Sequence, residues 1–451
     1  MPLSLQDLGK ALLDTEYAVR GPIVARAVEL EKSGREITYC NIGNPQALEQ
    51  KPLSWVRSVL ALCEYPELAE KAPGAFHADA IAASKAILAG TKHGLGAYSE
   101  SKGVRCIREA VAAFIQERDG IQADPDAIFL TDGASKGVQA ALRMLIACPS
   151  DGIMVPIPQY PLYSATITLY EGKQVNYYLD EHNDWKLSRQ MLEESLAEAK
   201  RFGVRVKGIV VINPGNPTGS VIDADNIAMI IDFAKEHGLT ILADEVYQDN
   251  VYKGGERFTS FAKVMQDKDE HSVSLFSFHS TSKGFLGECG HRGGYFEIRN
   301  IPADVTAQLL KLQSVSLCAN LPGQAAVYCM VSPPKQGEPS YNEYRAERDG
   351  ILGELKARAR LLADGLNKIP GIRCNEVAGA MYAFPQVELP AGRTDAQWCM
   401  ALLEAEGICV VPGSGFGQIP GTAHFRTTIL PPTRQLEAVV EKIARFQKSY
   451  R

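Results

Sequence analysis

Between residues 127 and 278 the chain alternates short, almost unbroken apolar runs with longer segments of helical period, and few folds accept that pattern. The runs are 127–130, 152–155, 206–212, 240–243 and 271–278. The segments 137–147 and 222–237 repeat their apolar residues every three or four positions, as amphipathic helices do. A strand with one wet face alternates apolar and polar residues. These strands do not alternate, so both faces of their sheet are covered, and the intervening helices are the cover. The pattern predicts an α/β fold with a mostly parallel central sheet. The Pro- and Gly-rich stretch 331–338 reads as a boundary, followed by a long helical pattern over 341–366 and strand-like runs in an α+β arrangement. The expected division is an N-terminal arm with part of a small domain (1–69), a large domain (70–330) and a small C-terminal domain (331–451).

Composition narrows the function. A chain of 451 residues exceeds one ordinary core and suits two domains. The net charge of -6 offers no basic excess for nucleic acid and no polybasic segment for anionic lipid. Every apolar run is interrupted short of a membrane span. The first residues, Met1 to Asp7, resemble neither a secretory signal nor a transit peptide, so the expected location is cytoplasmic. Ten cysteines without a Cys-x-x-Cys pair point to reduced thiols, and the eight histidines show no metal-ligand spacing.

The polar residues of interest follow the apolar runs, at the sheet edge where open α/β folds bind ligands. Ser280-Thr281-Ser282-Lys283-Gly284 ends the last run, and Arg292 follows nine residues after the lysine. A lysine at a strand mouth, with hydroxyls and an arginine nearby, suits covalent attachment of a phosphorylated aldehyde cofactor. Small residues around Ala134 and Ser135 open a helix, and a helix N-terminus is a ready phosphate cup. Asn216 sits in the rigid turn Asn213-Pro214-Gly215-Asn216-Pro217. Asp244 and Tyr247 lie three apart, hence on one face of a turn. As a buried carboxylate, Asp244 would keep a pyridine nitrogen protonated, with the Tyr247 phenol donating to the same ring. Tyr160, between prolines, offers a ring for stacking, and Arg426 a fork for a carboxylate. Each segment alone also fits a plain role as cap, turn, packing residue or ion pair. It is their order and spacing together that carry the signal.

In that order and spacing, the chain resembles the fold-type I pyridoxal-phosphate aminotransferases from about residue 15 onward. Long stretches, among them Tyr17 to Ile23, Asn41-Ile42-Gly43, Leu95 to Ser99 and Ile157 to Ala165, resemble its alanine branch. The resemblance implies pyridoxal 5'-phosphate as cofactor. Lys283 would link to it and move the substrate proton, Asp244 would pair with the pyridinium nitrogen, and Tyr247 and Asn216 would bond its ring hydroxyl. Tyr160 would stack on the ring, and Ser280, Arg292, Ala134 and Ser135 would hold the phosphate. Arg426 would bind the substrate α-carboxylate, with Gly43 closing over it. The implied substrates are amino acids and 2-oxo acids, foremost L-alanine with 2-oxoglutarate, with glutamate–glyoxylate exchange as the alternative. The implied assembly is a homodimer, with Tyr98 reaching the partner's site. The sequence departs from many relatives in two places: the arginine falls nine rather than eight residues after the lysine, and His291 stands where another aromatic is expected.

Overall fold

The structure, a computed structural model, describes residues 3–17, 21–255 and 257–450. Ala18, Val19 and Arg20, part of one resembling stretch, lie outside them. Seven strands form the central sheet: β1 (Ile128–Asp132), β2 (Asp151–Ile157), β3 (Lys173–Tyr178), β4 (Arg205–Ile212), β5 (Thr240–Asp244), β6 (Leu275–Ser280) and β7 (Gly293–Arg299). Their spatial order is β1-β7-β6-β5-β4-β2-β3. Neighbours run parallel except where β7 lies antiparallel to both β1 and β6. The mostly parallel sheet expected from the apolar runs is therefore present. All seven residues of β2 and all six of β6 are buried, as a sheet covered on both faces requires.

One expected strand is shorter at its start. The run 271–278 becomes extended only at Leu275. Glu270 accepts hydrogen bonds from the Ser272 amide and hydroxyl and from the Val273 amide, which holds those residues in a turn. The helix expected over 137–147 forms as Ala134–Leu145, so its first turn begins directly after β1.

Two apolar layers sandwich the sheet. On one face lie Ser54–Glu64, Arg105–Asp119, Ala224–His237 and Leu321–Val331; Ala134–Leu145 and Leu162–Leu169 lie on the other. Ser54–Glu64, which the sequence reading placed with the arm, thus packs in the large layer. Between strands, Phe129 and Phe296 stack at 5.0 Å, and truncating either buried ring to alanine would cost about 3–5 kcal/mol. A separate cluster gathers Pro22–Lys32, the second half of Tyr341–Leu366, Asp395–Glu406 and Thr433–Tyr450. Thr38–Tyr39 pairs in parallel with Ile408–Cys409 inside that cluster, which carries the following residues, Asn41 to Gly43, toward the sheet edge. All ten cysteines are free thiols; Cys148 is partly exposed beside Ser150 and Arg205.

Candidate active site

The carboxyl ends of β5 and β6 lie side by side, with Asp244 opposite Phe278. Asp244 closes β5 and is 5% exposed. Its Oδ2 accepts a hydrogen bond from the Tyr163 hydroxyl at 2.7 Å, whereas Oδ1 is buried without a partner. Burial raises the pKa of this carboxyl, against the pull of the Tyr163 bond, the Val246 amide and the Lys283 charge. A protonated nitrogen brought to Oδ1 would meet the unmade hydrogen bond and offset the desolvation.

Lys283 stands three residues past β6. Its Nζ donates to the Gly43 carbonyl at 2.8 Å and lies 5.9 Å from the centre of the Tyr247 ring. Gly284 takes φ +66, and Asn250 clamps it by accepting its N–H at 3.0 Å. The lysine is thus aimed by the turn that carries Tyr247, not by a helix.

Because β7 runs antiparallel, its start shares the edge where β1 and β6 end, and Gly293 lies opposite Asp132. That register sets Arg292 beside the helix Ala134–Leu145. Arg292 donates to the Asp132 carbonyl at 3.2 Å, the Ser135 hydroxyl at 3.3 Å and the Cys289 carbonyl at 3.1 Å. Among the described residues no carboxylate pairs with it. The helix opens on Gly133, with φ +75 and no side-chain cap, and a Cβ there would stand 2.3 Å from Arg292 Nη2. First-turn amides without a cap and a guanidinium without a counter-ion form an anion cradle. Ser280 is buried at its rim. His291 turns away and binds Glu288 at 2.9 Å, and Glu288 also meets Arg57 at 3.1 Å.

Across the cleft, Arg426 is 1% exposed. Its guanidinium donates to the Asn216 side-chain oxygen at 3.2 Å and to the Asn41 carbonyl at 2.5 Å. It lies between the Tyr382 ring at 4.1 Å and the Phe416 ring at 4.6 Å. A buried cation with aromatic faces, two neutral acceptors and an unpartnered Nε is primed for a carboxylate.

These groups line one cavity of about 440 Å³, with Ala134, Ser135, Tyr160, Asn216, Asp244, Tyr247, Ser280, Lys283, Arg292, Arg426 and Gly43 all on its wall. Tyr160 also bonds the Tyr17 hydroxyl at 2.8 Å. Tyr98 is not on this wall and is 78% exposed. Sequence reasoning overlooked Tyr163, Cys289 and Tyr382. Tyr163 had a signal, since it lies one helical turn beyond Tyr160 in the same motif. Tyr382 had none, because it reaches the cavity from a two-residue strand, Tyr382–Ala383, far along the chain. The donor set fits a flat, phosphorylated aldehyde: an amine, a free buried carboxylate oxygen, an anion cradle and a ring wall.

A family model described as aminotransferase class I and II matches residues 61–443. The chain is 48% identical to a probable mitochondrial alanine aminotransferase of Dictyostelium discoideum, over 99% of this chain and 89% of that protein. It is 46% identical to glutamate–glyoxylate aminotransferase 1 of Arabidopsis thaliana, over 99% and 96%. An alanine aminotransferase structure from Pyrococcus furiosus superposes with a TM-score of 0.81 at 27% identity, covering 98% of this chain and all of that one. The relatives also correct the expected cytoplasmic location. The Dictyostelium protein, like two alanine aminotransferases of Arabidopsis, is named mitochondrial. The expectation rested on the lack of a targeting pattern at the first residues, and compartment is set by a removable address rather than by the folded enzyme.

Proposed function

The chain belongs to the class I and II aminotransferases, a pyridoxal-phosphate-dependent family, and from that premise we propose that it exchanges an amino group reversibly between L-alanine and 2-oxoglutarate. One observation carries the reading: Lys283, the free oxygen of Asp244, the Arg292 cradle and Arg426 open into a single cavity. Similarity along the whole chain to proteins named alanine aminotransferase favours the substrates. Sequence identity of 46% to a glutamate–glyoxylate aminotransferase keeps that exchange as the second reading.

When bound, pyridoxal phosphate supplies an electron sink for the electrons left at the substrate Cα. The protein's own groups then have these roles. Asp244 would keep the ring nitrogen protonated through Oδ1, while Tyr163 fixes the carboxylate's other oxygen. Tyr247 and Asn216 would hold the ring hydroxyl, and Tyr160 would hold the ring. Arg292, Ser280 and the Ala134–Ser135 turn would take the phosphate. Arg426 grips the α-carboxylate, and Gly43 bounds it. The Lys283 amine would hold and return the substrate proton at Nζ. Its resting bond to the Gly43 carbonyl ties the base to the segment that bounds the carboxylate.

We extend the proposal to the assembly and the layout. The exposed Tyr98 and the exposed apolar Val315 and Leu317 support a homodimer in which Tyr98 reaches the partner's phosphate site. Against the expected division into 1–69, 70–330 and 331–451, we place the passage between the two apolar clusters inside the long helix Tyr341–Leu366, and Ser54–Glu64 with the large cluster. That helix passes from the large apolar cluster at Tyr344 to the small one at Leu355.

The test is an absorption spectrum of the purified protein with L-alanine and then 2-oxoglutarate. The expected result is a visible cofactor band that bleaches with alanine and returns with 2-oxoglutarate. A band indifferent to alanine but bleached by glutamate and restored by glyoxylate would select the second reading.

A further inference from the structure

Tyr382 is the residue in the cleft that touches both halves of the site. It stands on a short strand paired antiparallel with Phe425–Thr428, opposite Thr428 and therefore on the same sheet face as Arg426. The Arg426 guanidinium carbon lies over its ring, 4.1 Å from the centre. Its hydroxyl occupies the space a side chain at Gly43 would need: a Cβ built there would fall 1.8 Å from the Tyr382 hydroxyl oxygen and 3.2 Å from Lys283 Nζ. The same hydroxyl approaches the Tyr247 phenol, with the rings edge-to-face at 6.3 Å. The glycine at position 43 is thus required by Tyr382, and the tyrosine joins the carboxylate grip to the group that faces the cofactor ring.

We propose that Tyr382 is a two-ended positioning residue: its ring holds the Arg426 guanidinium in place for the substrate carboxylate, and its hydroxyl orients the Tyr247 phenol toward the cofactor. Burial alone would raise the Tyr382 pKa, but the Lys283 and Arg426 charges and the Tyr247 bond bring it below the usual tyrosine range. Burial pushes Tyr247 well above that range. The more acidic Tyr382 hydroxyl is therefore the donor of the pair, and Tyr247, accepting from it, keeps its single O–H for the cofactor. A fixed, neutral donor at Tyr247 is what a ring oxygen of developing negative charge needs. The inference rests on the site assignment proposed above, but not on which amino acid is the substrate.

The ring and the hydroxyl can be separated by two substitutions in the holoenzyme. Tyr382→Phe keeps the ring and removes the hydroxyl; Tyr382→Leu removes both. Three quantities are read: kcat with the best amino donor, the Kd of succinate as a carboxylate that cannot react, and the wavelength maximum of the bound cofactor. For Tyr382→Phe, succinate Kd is expected to stay within about twofold, kcat to fall about tenfold and the absorption maximum to move. For Tyr382→Leu, succinate Kd is expected to rise about tenfold as well. Adding Tyr382→Phe to Tyr247→Phe is expected to change kcat and absorption no further, because the hydroxyl acts through Tyr247.

Wild-type kcat and absorption in Tyr382→Phe would overturn the hydroxyl link. Equal loss of succinate binding in both variants would overturn the ring's hold on Arg426. Additive losses in the double variant would overturn the route through Tyr247. If the wild-type protein ignores L-alanine, the substrate reading fails, while succinate binding and absorption still decide the role of Tyr382.

Discussion

The site has a floor and a wall, and they are built by different means. The floor is the sheet edge: Asp244 at the end of β5, Lys283 just past β6, Arg292 just before β7, and the helix at Ala134. Backbone register between neighbouring strands fixes these positions, so each functional side chain stands within a few residues of a ladder hydrogen bond. The wall is Arg426, Tyr382 and Phe416, from separate segments of the C-terminal part, with Gly43 from the other end of the chain. Side-chain contacts hold it: a guanidinium between two rings, and a glycine under a phenol. A floor set by register tolerates loss of a side chain without moving its neighbours, whereas a wall set by side chains does not. The floor should therefore fail in chemistry, and the wall in binding.

The sharpest test of the floor is Lys283→Ala. Turnover is expected to fall by about 10³-fold or more, since no other amine on the cavity wall can hold the substrate proton. Far-ultraviolet circular dichroism should be unchanged, because among the described residues the side-chain hydrogen bond lost is one to the Gly43 carbonyl. Retained turnover would break the assignment of the floor altogether. Asp244→Ala comes next, with kcat expected about 10²-fold lower even at saturating pyridoxal phosphate. The substitution removes a buried oxygen that has no hydrogen-bond partner among the described residues and leaves the Tyr163 hydroxyl unpaired. Unchanged kinetics would mean that another group keeps the ring nitrogen protonated.

The floor was legible in the sequence and the wall only in part, for the same physical reason. Strand ends are marked locally: an apolar run stops, and the next polar residue is at the edge. Asp244, Lys283, Asn216 and the Ala134 turn could all be found that way, and the parallel sheet with them. Arg426 was found by motif and by the resemblance. Tyr382 was not, because its importance lies in what faces it across three chain segments, and its own neighbours, Met381 and Ala383, look like any buried strand. The start of β6 was misjudged because Glu270, outside the apolar run, captures the amides of Ser272 and Val273.

The wall's own test is Arg426→Ala. KM is expected to rise about tenfold to a hundredfold for both amino donors, because a charge-assisted carboxylate grip is common to them. A smaller change in kcat separates this variant from the two floor variants. A rise in KM for one donor alone would assign Arg426 to a side-chain contact, and the contrast between floor and wall would have to be redrawn.

The smallest effect tests whether acid–base stress sits under the floor. Glu245, next to Asp244, is fully buried and accepts hydrogen bonds from the Phe261 amide at 2.9 Å and the Ser277 hydroxyl at 2.5 Å. Burial pushes its pKa from 4.5 up to about 7. His279, also buried and without a partner at either ring nitrogen, is pushed by burial from 6.5 down to about 3. Their signs oppose. The folded state keeps the Glu245 proton that the unfolded chain releases above pH 4.5, so this contribution is complete below 4.5 and lost as pH rises toward 7. The unfolded chain takes up a His279 proton below pH 6.5 that the folded state refuses until about 3, so that contribution is lost as pH falls. In Glu245→Gln only the second remains. Relative to wild type, the variant should therefore gain stability between pH 5 and pH 8, by at most about 3 kcal/mol, read from urea melts of the cofactor-free protein at both values. An equal difference at the two pH values would show that Glu245 is ionised in the folded protein, and that the network beneath the floor neutralises it as completely as strand register fixes the residues above.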